Sequence, residues 1–124
     1  MVGTILIVED DITLRWLLGE HLHSLGYEVH AAANGREAVD RCRIRRYQLI
    51  LMDLNMPVMN GYEATKSIRS FETANHFEPV PIFAMSSHPE PDRCLASGMT
   101  GFLQKPISRS ELKLLLSENK NVFE

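Results

Sequence analysis

Short apolar runs recur along the chain, separated by stretches of helical period. Runs of strand length occupy residues 4–8, 28–32, 48–52, 80–85 and 101–103. Several are continuously apolar rather than alternating, the pattern of strands covered on both faces. Leu14, Leu17, Leu18, Leu22 and Leu25 fall at three- and four-residue spacing after a potential cap, Asp11, and before Gly26. They predict an amphipathic first helix stopped by a glycine. Asn34-Gly35 opens a second helix carrying Ala38, Val39 and Cys42, with its arginines mostly outward. Asn60-Gly61 opens a third with Ala64, Ile68 and Phe71 on one face. Ser108 and Glu111 form a capping-box pattern before Leu112, Leu115 and Leu116, the buried stripe of the last helix.

Strand and helix therefore alternate five times, which demands right-handed crossovers and a parallel sheet. The expected fold is α/β, a doubly wound five-stranded parallel sheet. With 124 residues, 44% of them hydrophobic, and neither repeat nor linker, residues 1–124 read as one domain able to bury its own core.

The formal net charge of -3 leaves no basic excess to neutralise phosphates, so direct nucleic-acid binding is not expected. Cys42 and Cys94 have neither disulfide-framework nor zinc spacing, which fits a reducing, cytoplasmic compartment. No run approaches the ~18 apolar residues of a membrane span, so no membrane contact is expected either.

Ligands of such sheets sit beyond the carboxyl ends of the strands. There the chain places Glu9-Asp10-Asp11 after strand one and Asp53 to Pro57 after strand three. Ser86-Ser87-His88 follow strand four, and Gln104-Lys105-Pro106 follow strand five. Each group alone has a plain explanation as a solvated turn or helix cap. Together they crowd carboxylates that raise one another's pKa unless a cation joins them. A few carboxylates, a carbonyl and waters are what Mg2+ accepts. Lys105 and Ser86 would add a fixed cation and a hydroxyl donor, completing the parts needed to place a phosphoryl group on an aspartate.

At residues 5–10, 52–61 and 102–106 the chain resembles the receiver domain of two-component response regulators. The resemblance covers nearly the whole chain and implies the flavodoxin-like strand order 2-1-3-4-5. It implies that Asp53 is the phosphoacceptor, taking its phosphoryl group from a sensor histidine kinase or a histidine phosphotransfer protein. Asp10 and Asp53 would ligate Mg2+ through their side chains, Asn55 through its backbone carbonyl and Glu9 through a water. Lys105 would pair with phosphoryl oxygens, Ser86 would be the switch hydroxyl and Phe102 the switch aromatic. The bond into Pro106 would be cis. Asn55 and His88 would flank the line of water attack and set the phosphoryl lifetime. Such a domain accepts a phosphoryl group and assists its own phosphorylation and dephosphorylation rather than serving as an enzyme. The output partner is unspecified.

Only 18 residues separate Ser86 from Lys105, about three fewer than the resemblance implies, or close to one helical turn. With Pro89 and Pro91 in that segment, residues 88–92 should run extended before a short fourth helix at 93–97, ending near Gly98. Residues 71–81 form a longer link than a tight α/β connection needs. Asp11 reads as a helix cap, Met52, Met56, Met59 and Met85 as packing, and Trp16 has no evident ligand. Three other readings stand beside the preferred one. A metal-dependent aspartyl-phosphate phosphotransferase would want a second acid where Asn55 stands. A flavin module would find its phosphate repelled by Glu9-Asp10-Asp11. An interaction-only pseudo-receiver would lack a pocket residue, and none is missing. Residues 55–61 resemble the receivers of hybrid kinases somewhat more than stand-alone regulators.

Overall fold

The computed structural model describes residues 3–119. Five strands, β1 (Thr4–Val8), β2 (Glu28–Ala32), β3 (Leu49–Asp53), β4 (Ile82–Ser86) and β5 (Gly101–Gln104), form one parallel sheet in the order 2-1-3-4-5. Between and after them lie α1 (Ile12–Ser24), α2 (Gly35–Ile44), α3 (Gly61–Ala74), α4 (Pro91–Ala96) and α5 (Arg109–Glu118). β1, β3 and β4 are buried at every position, as their unbroken apolar runs require.

Alternation along each strand splits the core in two. Leu6, Val8, Ile50, Met52 and Ala84 pack with Ala38, Val39 and Cys42 of α2 and Ala64 and Ile68 of α3. Ile5, Ile7, Leu51 and Met85 pack with Leu18 and Leu22 of α1 and Leu112, Leu115 and Leu116 of α5. Leu17 is 42% exposed, contrary to the predicted stripe. The buried line of α1 follows the four-residue step through Leu14, Leu18 and Leu22, and Leu17 sits about 100° away from Leu18 around the axis.

Caps fix the helix starts. Asp11 accepts from Leu14 N at 3.0 Å and Asn34 from Glu37 N at 3.0 Å, and Ser108 with Glu111 forms the expected capping box. Asn60 and Glu63 form a second capping box at α3.

The fourth helix is short, with six residues, but begins at Pro91 rather than residue 93. Proline at the first helical position gives up only an N–H that has no partner there, so Pro91 starts the helix instead of delaying it. Three strands also run one residue further than expected, so that Asp53, Ser86 and Gln104 end β3, β4 and β5 rather than follow them.

The long link after α3 is held by a buried ion cluster. Glu72, 2% exposed, accepts from Arg69 Nη1 at 2.8 Å and from Val80 N at 2.8 Å, with Arg46 Nη2 at 3.5 Å. Arg46 also donates to the Glu78 carbonyl at 2.7 Å and lies over the Phe77 ring, and Arg45 donates to Thr4 Oγ1. These two arginines stay exposed, as expected, yet also tie the end of α2 to β1 and to the link after α3.

Candidate functional site

Strand register brings the polar residues to one edge. Val8 pairs with Met52, so Glu9 and Asp53, each one residue further on, lie side by side. Asp53 pairs with Met85 and Ser86 with Gln104, which sets Ser86 and Lys105 on the same rim. Oxygens of Glu9, Asp10 and Asp53 lie within 4.8 Å of one another. Lys105 Nζ bridges two of these carboxylates, 2.9 Å from Glu9 Oε2 and 3.3 Å from Asp53 Oδ1. Glu9 and Asp53 are buried and Asp10 is exposed.

Gly61 opens α3 directly behind the site. A side chain there would place its Cβ 2.3 Å from the Asp53 carbonyl oxygen, so only glycine lets the helix start this close to the strand end. The Ser86 hydroxyl accepts from His88 N at 3.1 Å, a local turn that fixes the oxygen and leaves its own hydrogen free to donate. Lys105 N donates to the Ser86 carbonyl at 2.8 Å, and the Lys105–Pro106 bond is cis. Phe102 is 42% exposed, and Asn55 and His88 are exposed at the rim.

The pocket holds protons tightly. Burial, reinforced by the Asp53 charge, pushes the Glu9 carboxyl up to about 7 against the opposing Lys105 hydrogen bond. Burial disfavours the Lys105 ammonium, but its hydrogen bond to Glu9 and the charges of Asp53 and Glu9 outweigh that and raise its pKa. Three carboxylates against one lysine leave an excess of about two negative charges when all are ionised, which a divalent cation with oxygen preference matches. The sequence did not reveal Arg15, whose Nη1 donates to the Glu9 carbonyl at 2.8 Å. Its partner is a backbone atom six residues away, for which no residue-type pattern exists.

Among the described residues no helix is long and apolar enough to cross a membrane. The sequence model described as "Response regulator receiver domain" matches residues 5–117. The chain is 39% identical over 122 residues to hybrid signal transduction histidine kinase B of Dictyostelium discoideum, covering 90% of this chain and 6% of that protein. The chain thus spans a small fraction of that relative's length. Among solved structures it is similar to the receiver domain of the sensor histidine kinase PA1611 from Pseudomonas aeruginosa PAO1, which has a magnesium ion coordinated in its active site cleft. That pair has a TM-score of 0.84 and 37% identity over 98% of this chain and 99% of the other. It is also similar to a chain in the co-crystal structure of the Saccharomyces cerevisiae histidine phosphotransfer signaling protein Ypd1 and the receiver domain of its downstream response regulator Ssk1. There the TM-score is 0.90, with 33% identity over 95% of this chain and 88% of the other. Five parallel strands in 2-1-3-4-5 order, an acidic pocket bridged by one lysine, and a family match across residues 5–117 agree: the chain belongs to the response regulator receiver domain family.

Proposed function

We propose that residues 1–124 act as one phosphoacceptor unit in which Asp53 takes a phosphoryl group from the phosphohistidine of a sensor histidine kinase or histidine phosphotransfer protein. The observation that carries this reading is Lys105 Nζ held between Glu9 and Asp53 inside the three-carboxylate cluster. An Asp53 carboxylate oxygen attacks phosphorus; the O–P bond forms as the N–P bond to the donor imidazole breaks. Lys105 then turns from the carboxylates to the phosphoryl oxygens. Ser86 donates its free hydroxyl hydrogen to the same group, and the exposed Phe102 ring packs inward behind it. Mg2+ is the cofactor the donor set fits: Asp10, Asp53, the Asn55 carbonyl and, through a water, Glu9 would hold it, and when bound it would supply positive charge beside the transferring group. Ile12 and Trp16, 72% and 64% exposed on α1 next to the pocket, offer the donor protein an apolar surface.

The domain works as a switch in a phosphorelay, in the cytoplasm, and its output partner reads the changed surface. It turns over no substrate beyond its own phosphorylation and dephosphorylation. Incubation with acetyl phosphate and Mg2+ should add one phosphoryl mass, and excess chelator should prevent it. Full uptake in chelator, or no uptake with Mg2+, overturns the reading.

Metal binding and pH are linked through Glu9. Between about pH 4.5 and 7 the unfolded chain has released a proton that the folded, metal-free protein retains at Glu9. Stability from this group therefore falls as pH rises through that window, and it levels off above it. Mg2+ competes with that proton, so its stabilising shift in melting temperature should be larger at pH 7.5 than at pH 5.5. Equal shifts at the two pH values contradict the linkage.

His88 and Asn55 are proposed to set the lifetime of the phosphoryl group, because both are exposed on the rim where water enters. His88→Ala should change the dephosphorylation rate several-fold, followed by intact mass, while Mg2+ affinity stays unchanged. Identical decay of the two proteins removes His88 from this role.

A further inference from the structure

The Asp10 carboxylate is exposed, and among the described residues no hydrogen bond or ion pair holds it. Glu9 and Asp53, in contrast, are both tied to Lys105. What keeps Asp10 beside them is therefore the backbone of the turn between β1 and α1. The β1–β3 pairing ends at Val8, and Glu9 N makes a last bond to the Ala32 carbonyl at 3.0 Å. Beyond it, the Glu9 carbonyl is taken by Arg15 Nη1 at 2.8 Å. That carbonyl belongs to the peptide unit joining Glu9 to Asp10, so its orientation sets the direction in which Asp10 leaves the strand.

Arg15 is well placed to hold it. It stands one helical turn after the cap residue Asp11, its own N–H bonded to the Asp11 carbonyl at 2.9 Å, and its side chain is half-buried. The guanidinium thus spans from the rigid first turn of α1 back to the strand end. Its hydrogen bond goes to the backbone rather than to any of the three carboxylates. A charged donor to a carbonyl is a stronger bond than a neutral one, and a planar guanidinium loses little freedom in making it.

We infer that Arg15 is a positioning residue for cation binding: it fixes the Glu9–Asp10 peptide so that the Asp10 carboxylate converges with those of Glu9 and Asp53. This inference rests on the reading of the pocket as a Mg2+-assisted phosphoacceptor. Loss of Arg15 frees one peptide unit and lets Asp10 swing into solvent, leaving Asp53 and Lys105 where they are. The effect should fall on the Mg2+ requirement rather than on the transfer step.

The test compares wild type, Arg15→Ala and Arg15→Lys. Calorimetric titration with MgCl2 should show affinity weakened about tenfold in Arg15→Ala, at the low end for groups that orient metal ligands. Arg15→Lys, which retains a charged donor of nearly equal reach, should recover part of the loss. Phosphoryl uptake from acetyl phosphate should need more Mg2+ in Arg15→Ala yet reach a similar maximum. Amide exchange at Asp11 should quicken in metal-free Arg15→Ala without a matching drop in melting temperature. Unchanged Mg2+ affinity overturns the inference. So does a loss equal in Arg15→Ala and Arg15→Lys that accompanies a lowered melting temperature, which would make Arg15 a stability residue only. A wild type that binds Mg2+ but takes no phosphoryl group would instead count against the phosphoacceptor reading, with the titrations still deciding the role of Arg15.

Discussion

Asp53→Asn should abolish phosphoryl uptake, lowering its rate at least ~10³-fold from either a small donor or a phosphohistidine protein, as loss of a nucleophile does. The substitution keeps shape and volume and replaces a carboxylate oxygen by an amide that cannot attack phosphorus. Three carboxylates share the pocket, and the geometry separates them. Glu9 is committed to Lys105 at 2.9 Å and to Asp11 N at 3.3 Å. Asp10 is exposed and, among the described residues, makes no bond to Lys105. Asp53 ends the central strand, buried, with its Oδ1 3.3 Å from the lysine that would neutralise the incoming group. Folding should survive, because removing one of three crowded negative charges relieves repulsion and lowers the Glu9 pKa. A phosphoryl adduct that persists in a folded Asp53→Asn protein, mapped to Glu9 or Asp10, sinks the assignment.

The largest expected loss of stability lies at the opposite end of the sheet. Glu72→Ala should destabilise by about 3–5 kcal/mol, the range for breaking a buried ion pair from one side. For a chain of this size that lowers the melting temperature by roughly 10–20 °C. Glu72 holds Arg69, the Val80 N–H before β4 and Arg46 before β3, while Arg69 Nε donates to the Gly98 carbonyl before β5 at 2.8 Å. Truncation leaves a half-buried guanidinium without its carboxylate and a buried N–H without an acceptor. Glu72→Gln, which can still accept from Val80 N, should lose less. Because this cluster sits at the amino ends of the strands, phosphoryl uptake at low temperature should be nearly unaffected. A Glu72→Ala protein that melts within two or three degrees of wild type, by an estimate of about 1 kcal/mol or less, would show the cluster to be dispensable.

Much of the pocket could be read from the chain because its residues directly end strands. Glu9 and Asp10 follow an unbroken apolar run, Asp53 closes another, and Lys105 follows the short last strand; once the sheet is parallel, all must lie at one edge. The ends of elements were harder. Pro91 reads in the sequence as a barrier to α4 but serves as its first residue, because a proline's effect depends on whether its missing N–H had a partner. Leu17 reads as buried because it is a leucine at helical spacing, although the face of α1 that meets the sheet runs through Leu18 and Leu22.

Sequence alone settled the fold class, the strand order by resemblance, the helix caps and the acidic cluster with its lysine, since all of these depend on local pattern or on motif position. Tertiary structure decided the contacts between distant segments. Arg46 and Glu72 are 26 residues apart, and a run of arginines gives no sign of which member turns inward to a carboxylate. The Lys105 bridge to Glu9 spans 96 residues, and its bond lengths follow from strand register. Arg15 is invisible to pattern because its partner is a carbonyl that every residue carries. Local periodicity is written in side-chain type; the pairing of a charge with one particular backbone or buried partner is fixed only when packing brings them together.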